Sequence, residues 1–282
     1  MGFFMKMLLG LGLVFCSMGL HAAEDFVPIQ ERAQGQSLVG SSQGNDSLYS
    51  NPAASSFVNV YSVDGSLALP KSFAVSILDT KTSDLGGALG YFRREVGSDY
   101  YDKNVVPSGN QKYIEGAKLA MMKRISNEIG IGVSGKSIWG PNTQGERVRL
   151  NDADLGMIYN HNFLQLGAAI RNIFGGNELM KLPRDYSVGG RVTYDQILSL
   201  SLATQSRLRS VAPYQYGVGV EYLSPFFFAI RGGYRILTEE KQNLWSFGAS
   251  FVSPRLSLHY AMEIPSQPNA PLEHTLGTTL LF

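Results

Sequence analysis

Past its opening segment the chain has no cysteine. The single Cys16 lies in the apolar stretch that begins the sequence, so the remainder offers no disulfide, no thiolate metal site and no cysteine nucleophile. A later run long and apolar enough for a spanning helix is also missing, although 44% of the residues are hydrophobic. Net charge is nearly absent. Lys and Arg number 24 against 23 Asp and Glu, a balance of +1 that exerts no general pull on nucleic acid. The four histidines, His21, His161, His259 and His274, lack metal-ligand spacing. Gly40–Gly44 matches G-x-S-x-G, and Gly130–Ser137 matches the P-loop and dinucleotide patterns, but the latter lies inside the alternating segment Glu128–Trp139 and not at a strand-to-helix turn, the context those motifs need. One acid–base grouping can be drawn, Ser257 with His259 and Glu263, but no hydrolase motif surrounds it. The reading is a non-enzyme without metal or cofactor.

What is present begins with a secretory signal peptide, residues 1–23. Lys6 supplies its positive charge and Leu8, Leu9, Leu11, Leu13, Val14 and Phe15 its apolar core, with cleavage after Ala22 or Ala23. Phe15 before Cys16 fits a lipoprotein cleavage site poorly. Residues 24–56 follow, rich in Gly, Ser, Gln and Asn and without sustained alternation, which predicts a short helix or compact coil. Asn51-Pro52 breaks the local backbone, because the proline ring pushes Asn51 out of helical geometry.

From Phe57 to Phe282 short segments alternate apolar and polar residues, the period of strands with one face in lipid. The first, Phe57–Leu69, sets Tyr61, Val63, Leu67 and Leu69 on one face. Later segments set Leu119 and Met121 opposite Lys118, Ile131 and Val133 opposite Lys136, and Leu155 and Met157 opposite Asp152 and Asp154. The last, Leu272–Phe282, aligns Leu276, Thr278, Leu280 and Phe282. The count is about fourteen, an even number as single-chain bacterial barrels have. Connections support the count: short ones such as His161-Asn162 and Asp195-Gln196 alternate with longer ones such as Val96–Asn110 and Phe174–Pro183. The longer set falls on the side opposite the termini, and only the hairpin at Pro70-Lys71 departs from the rule. The fold expected is an all-β transmembrane antiparallel up-and-down β-barrel.

Several segments resemble known families. Thr275, Gly277, Leu280 and Phe282 occupy the places of the terminal assembly signal of bacterial outer-membrane barrels, which implies the barrel assembly machinery as a partner. Asn45 to Ala54 is similar to the Asp…Asn-Pro-Ala element of FadL-like fatty-acid transporters and their PorV-like relatives. Asp154 to Asn172, Val188-Gly189-Gly190, Gly219-Val220-Glu221-Tyr222 and Arg231-Gly232-Gly233-Tyr234-Arg235 resemble the PorV-like branch. The resemblance implies a Gram-negative outer-membrane barrel (57–282) plugged by residues 24–56, with Asp46, Tyr49, Asn51, Pro52 and Ala53 in the plug. FadL-like members pass small hydrophobic molecules such as fatty acids and release them sideways through an interrupted strand near the N-terminus. The glycine-dense third strand makes Gly86, Gly87 and Gly90 the lateral-gate candidates; the other reading is that small residues accommodate plug or curvature. PorV-like members are instead outer-membrane components of protein secretion, so the implied partners are a hydrophobic small molecule or a secretion-system protein, together with outer-membrane lipid.

Inward-facing charges are the remaining candidates: Arg171, Arg191, Arg231 and Arg235 with Asp152, Asp154, Glu221 and Glu263. They read either as a polar path with Arg231 and Arg235 placed for a carboxylate head group, or as wall-to-wall and wall-to-plug pairing. Tyr91, Tyr113, Tyr159, Tyr186, Tyr194, Tyr222, Tyr234 and Trp245, near strand ends, read as interfacial girdles.

Overall fold

Alternation in the sequence becomes alternation between lipid and lumen in space. The computed structural model describes residues 26–41, 44–69, 72–95, 113–141, 146–175, 184–207, 213–239, 241–267 and 272–282. Fourteen strands form a closed antiparallel barrel, each paired with its sequence neighbours and β1 with β14. The first seven are β1 (Tyr61–Leu69), β2 (Ser72–Asp79), β3 (Leu85–Glu95), β4 (Tyr113–Arg124), β5 (Ile129–Pro141), β6 (Arg147–His161) and β7 (Leu164–Arg171). The rest are β8 (Asp185–Tyr194), β9 (Leu198–Arg207), β10 (Gln215–Leu223), β11 (Phe228–Leu237), β12 (Gln242–Val252), β13 (Leu256–Pro265) and β14 (Glu273–Leu281).

Side chains obey the period of two. On β3, Leu89 is 53% exposed toward lipid while its neighbour Ala88 is 4% exposed toward the lumen. Leu119, Met121, Val133, Leu155, Leu200 and Phe247 continue the outer apolar belt. At the seam Val63 opposes Leu280 and Leu67 opposes Leu276. Closure leaves no sheet edge, as a strand assembly in lipid requires.

Two expectations need correction. The first strand begins at Tyr61, because Ala54–Phe57 closes into a 3-10 turn first. The connection between β11 and β12 is also shorter than alternation demands, covering only 238–241, because Leu237 and Gln242 still pair. Elsewhere the short connections, such as 162–163 and 195–197, lie opposite the longer ones, such as 172–184 and 208–214. The signal peptide and the Pro70-Lys71 turn lie outside the described residues.

Residues 26–57 sit inside the barrel. They contain α1 (Ile29–Ala33), a 3-10 turn at Gly44–Asp46, α2 (Ser47–Ser50) and the turn at Ala54–Phe57. Helices this short have little stability of their own and depend on packing. Helix α1 packs on β11, β12, β13 and β14; Gly44–Asp46 packs on β1 and β2; α2 packs on β3 and β4.

Candidate functional site

The N-terminal segment does not float in the lumen. It follows the wall strand by strand, and on most of the strands it touches, the wall carries an inward glycine. A Cβ added at Gly248 would strike Ala33, one at Gly233 the Gln34–Gly35 backbone, and one at Gly217 the carbonyl of Gly35. The path continues with Gly189 against Val39, Gly167 against Val39 and Gly40, and Gly132 against the Pro52–Ala53 backbone. The plug can approach the wall this closely only where the wall residue carries no side chain. With Ser37 on Ser201 of β9 (Oγ to Oγ 2.6 Å), the plug meets all fourteen strands. Gly219 likewise lies against Ser37 of the plug.

Asn51 pins the segment. It is fully buried, and its Nδ2 donates to Val39 O (2.9 Å) and to Met157 O (3.2 Å) on β6. Its Oδ1 accepts from Ala53 N at 3.0 Å, so the Asn-Pro-Ala turn closes on itself while holding an earlier part of the plug. Asp46 accepts from Gln30 N at 3.2 Å. Burial, reinforced by nearby Asp64 and Glu31, pushes the Asp46 carboxyl well above the ordinary range. Asn45 ties the plug to β1 and β2 through Ser62 (2.6 Å) and Ser76 (3.0 Å).

Apart from Asp152, the candidate inward charges form four groups. Asp154 receives Lys118 (2.6 Å) and Lys136 (3.1 Å), with Ser134 Oγ and Asn172 N completing its shell. Asp152 accepts from Phe174 N at 3.0 Å and Ala153 N at 2.7 Å. Arg171 grips Asp185 (Nε to Oδ1 2.9 Å) and Gln205 (2.8 Å). Glu221 lies between Arg191 (2.5 Å) and Arg231 (2.6 Å), and Arg231 also donates to Ser250 and approaches Gln30 of the plug at 3.4 Å. Finally Glu263 takes Arg235 (2.9 Å) and the plug's Arg32 (2.6 Å), which also reaches Glu273. These contacts pair wall with wall and wall with plug.

Two partners escaped the sequence reading. Asp185 was accessible to it, since it shares the inward parity of Ser187 on β8. Arg32 lies in a segment without periodicity, so no sequence signal marked it. The grouping of Ser257, His259 and Glu263 is not formed. His259 instead contacts Ser250 (2.8 Å) and Thr279 (3.2 Å), because lumen neighbours come from adjacent strands rather than from one strand. Among the described residues no group of three His, Cys, Asp or Glu could hold a metal.

The lumen is uneven. Apart from Lys118 on β4 and Lys136 on β5, which reach over to Asp154, its ion pairs lie on β6 to β14, whereas β2 to β5 carry a connected apolar cluster. Toward the long-connection end it consists of Phe92, Ile114 and Ile138, with Leu150 of β6 beside them. Phe26, Leu48 and Tyr49 of the plug cap it, the Phe26 and Tyr49 rings lying 5.3 Å apart. Toward the short-turn end it continues through Leu78, Ala88, Ala120 and Met122. Met122 then lines a cleft of about 500 Å³ shared with Phe57, Thr80, Asp84, Gly86 and Arg124.

Gate candidates fall on this side. Gly86 and Gly90 face inward and Gly87 outward. A side chain at Gly90 would strike Leu48 and Tyr49, so this glycine seats α2. The β3–β4 ladder runs unbroken from Leu85 to Glu95, and β2 pairs as far as Asp79 with Gly87. Gly86 stands where β2 has stopped pairing, at the cleft. At the seam Thr275 is fully buried and Gly277 meets Ile29, while Leu280 faces lipid. Phe282 N donates to Tyr61 O (2.9 Å), and the two rings stand 5.6 Å apart. On the outer surface Tyr234 and Trp245 pack at 4.6 Å.

No family model matches the sequence, and no curated protein matches it. Solved structures do. The Ralstonia pickettii toluene transporter TbuX aligns with a TM-score of 0.61 at 13% identity, over 92% of this chain and 97% of that one. The Pseudomonas putida toluene transporter TodX gives 0.62 at 13%, over 93% and 98%. A Pseudomonas aeruginosa FadL homologue gives 0.59 at 10%, over 89% and 97%. The fold is that of a FadL-like outer-membrane barrel.

Proposed function

We propose that the protein lets small hydrophobic molecules cross the Gram-negative outer membrane, to which a cleaved signal peptide directs it. The observation that carries this reading is the apolar track down β2 to β5. It begins near the long connections, passes under Leu48 and Tyr49, and ends at the cleft beside Gly86. A wall meant only to hold a plug has no need of a continuous apolar strip in a lumen otherwise lined by ion pairs. Toluene transport by TbuX and TodX on the same fold supports the class of cargo.

Passage requires α2 to withdraw Leu48 and Tyr49 from the strip. It leaves the other glycine-seated parts of the plug in place. The exit lies through the cleft, with Gly86 and Gly87 as the flanking residues of a sideways route. Fatty acids are the less favoured cargo, since a carboxylate would compete with Glu221 and Glu263 for Arg231 and Arg235.

Uptake of a labelled neutral hydrocarbon into vesicles holding the folded barrel tests the reading. Ala120→Trp, which fills the strip, should abolish uptake without removing the heat-modifiable band of the folded protein. Equal uptake by both proteins, or none by the parent, overturns it. The close fit of plug to wall favours a second reading, a non-transporting scaffold for an envelope or secretion complex. Absent uptake with stoichiometric recovery of an envelope protein would establish that one.

A further inference from the structure

Arginine is rare on the lipid-facing side of this barrel, and its placement is uneven. Among the described strands, the arginines on the outward parity are Arg93 on β3 and Arg147 and Arg149 on β6. All three stand at the long-connection end, within one four-strand sector. The register aligns Arg93 with Glu115, Glu115 with Trp139, and Trp139 with Arg149, in a single row across β3, β4, β5 and β6. At the same level on β10 to β13 the outward residues include Tyr216, Tyr234, Trp245 and Ile264, without a cation.

The row is not simply self-neutralised. Glu115 is occupied by Arg147, with Arg93 at 3.7 Å. Glu95 and Glu146 lie one step farther out, at the ends of β3 and β6. Arg149 is tied through Nε to two neutral groups, Ser137 Oγ (2.7 Å) and Asn151 Oδ1 (3.2 Å). Its guanidinium lies over Trp139 at 5.6 Å, as that of Arg93 lies over Tyr113 at 4.2 Å. Stacking on aromatic rings holds both planes against the wall and leaves their outer N–H groups directed to the surroundings. Ser137 and Asn151 extend the polar surface one row toward the membrane centre.

We propose that this sector of β3 to β6 binds the phosphorylated head group of an outer-leaflet glycolipid. This rests on the outer-membrane reading above, with the long connections outside the cell. A cation on the lipid-facing side is tolerated only near the interface, and an anionic head group there is its natural counterion. The guanidinium fork suits phosphate in two-point contact, and Trp139 and Tyr113 offer apolar surface to the first acyl segments.

The test uses the full barrel in neutral detergent with diphosphoryl lipid A as probe, bound lipid being counted by native mass spectrometry. The double variant Arg93→Gln/Arg149→Gln should bind about tenfold more weakly, the loss expected for one or two charge-assisted hydrogen bonds. Lys123→Gln, at the opposite end of the lipid-facing surface, should bind as the parent does, and lipid A stripped of phosphate should bind parent and variant equally weakly. If the double variant fails to fold, Arg149→Gln alone is read in the same way. Equal binding by parent and variant, or binding indifferent to the phosphates, overturns the proposal. None of these readouts depends on transport, so a barrel that moves no hydrocarbon but binds the lipid would separate the two readings.

Discussion

Asp154 receives two lysines, one from each of β4 and β5, in a lumen site that water does not reach; Lys118 is 1% exposed and Asp154 fully buried. Such a triad holds only while all its charges are present, since breaking a buried pair leaves an uncompensated ion. Asp154→Asn should therefore lower the unfolding free energy by about 3–5 kcal/mol, as measured by urea titration of the barrel in vesicles. A loss below about 1 kcal/mol, the range of exposed pairs, would show that the lysines are solvated. At this scale the sequence was informative about facing and silent about pairing. Lys118, Lys136, Asp152 and Asp154 were assigned to the lumen by period alone. Which of them meet depends on register, and register depends on how neighbouring strands stagger, a relation that no single strand records. His259 illustrates the gap. Its own strand supplied Ser257 and Glu263 as neighbours, yet the ladder brought Ser250 and Thr279.

At the scale of elements, the strands were legible from their own period, whereas the plug was expected only from the resemblance and its path was not legible. A strand in lipid must alternate, and so writes its orientation into its residues. Residues 26–57 are held by contacts with all fourteen strands, so their path is a property of the wall. What the sequence did contain was the wall's half of the fit, in glycines at inward positions of otherwise regular strands. Gly132 and Gly87 allow a direct comparison. Gly132 lies under the Pro52–Ala53 backbone, whereas an added Cβ at outward Gly87 meets only a carbonyl at 4.0 Å. Gly132→Val should unseat the plug and reduce the heat-modifiable, protease-resistant fraction severalfold; Gly87→Val should leave it near the parent value. Equal behaviour of the two would mean that the glycines serve curvature instead. The extra pairing of Leu237 with Gln242 is a smaller lesson: connection length depends on where pairing stops, and polar residues such as Gln242 can continue a ladder as well as begin a loop.

For the whole molecule, closure is the decisive event. The seam pairs Ser62 with Leu281 through to Leu69 with His274, and Phe282 clasps Tyr61 beyond it. Removing Phe282 should lower the yield of folded barrel while leaving uptake per folded barrel unchanged, as heat-modifiable migration and vesicle uptake measured together would reveal. Unchanged yield would free Phe282 from any part in assembly.

The route of the plug also sets an order in time. Its seat draws on β1 and β14 alike, the two strands that meet only when the ring completes. The earliest of the described residues must therefore wait, unhoused, for the last strand to arrive. Once the seam zips, they are enclosed by the same step that creates their lodging, and leaving would mean undoing contacts with every strand. Assembly and sealing are in this sense one transaction, and a barrel that closed without its N-terminal segment inside would hold a vacancy that could not readily be filled afterwards.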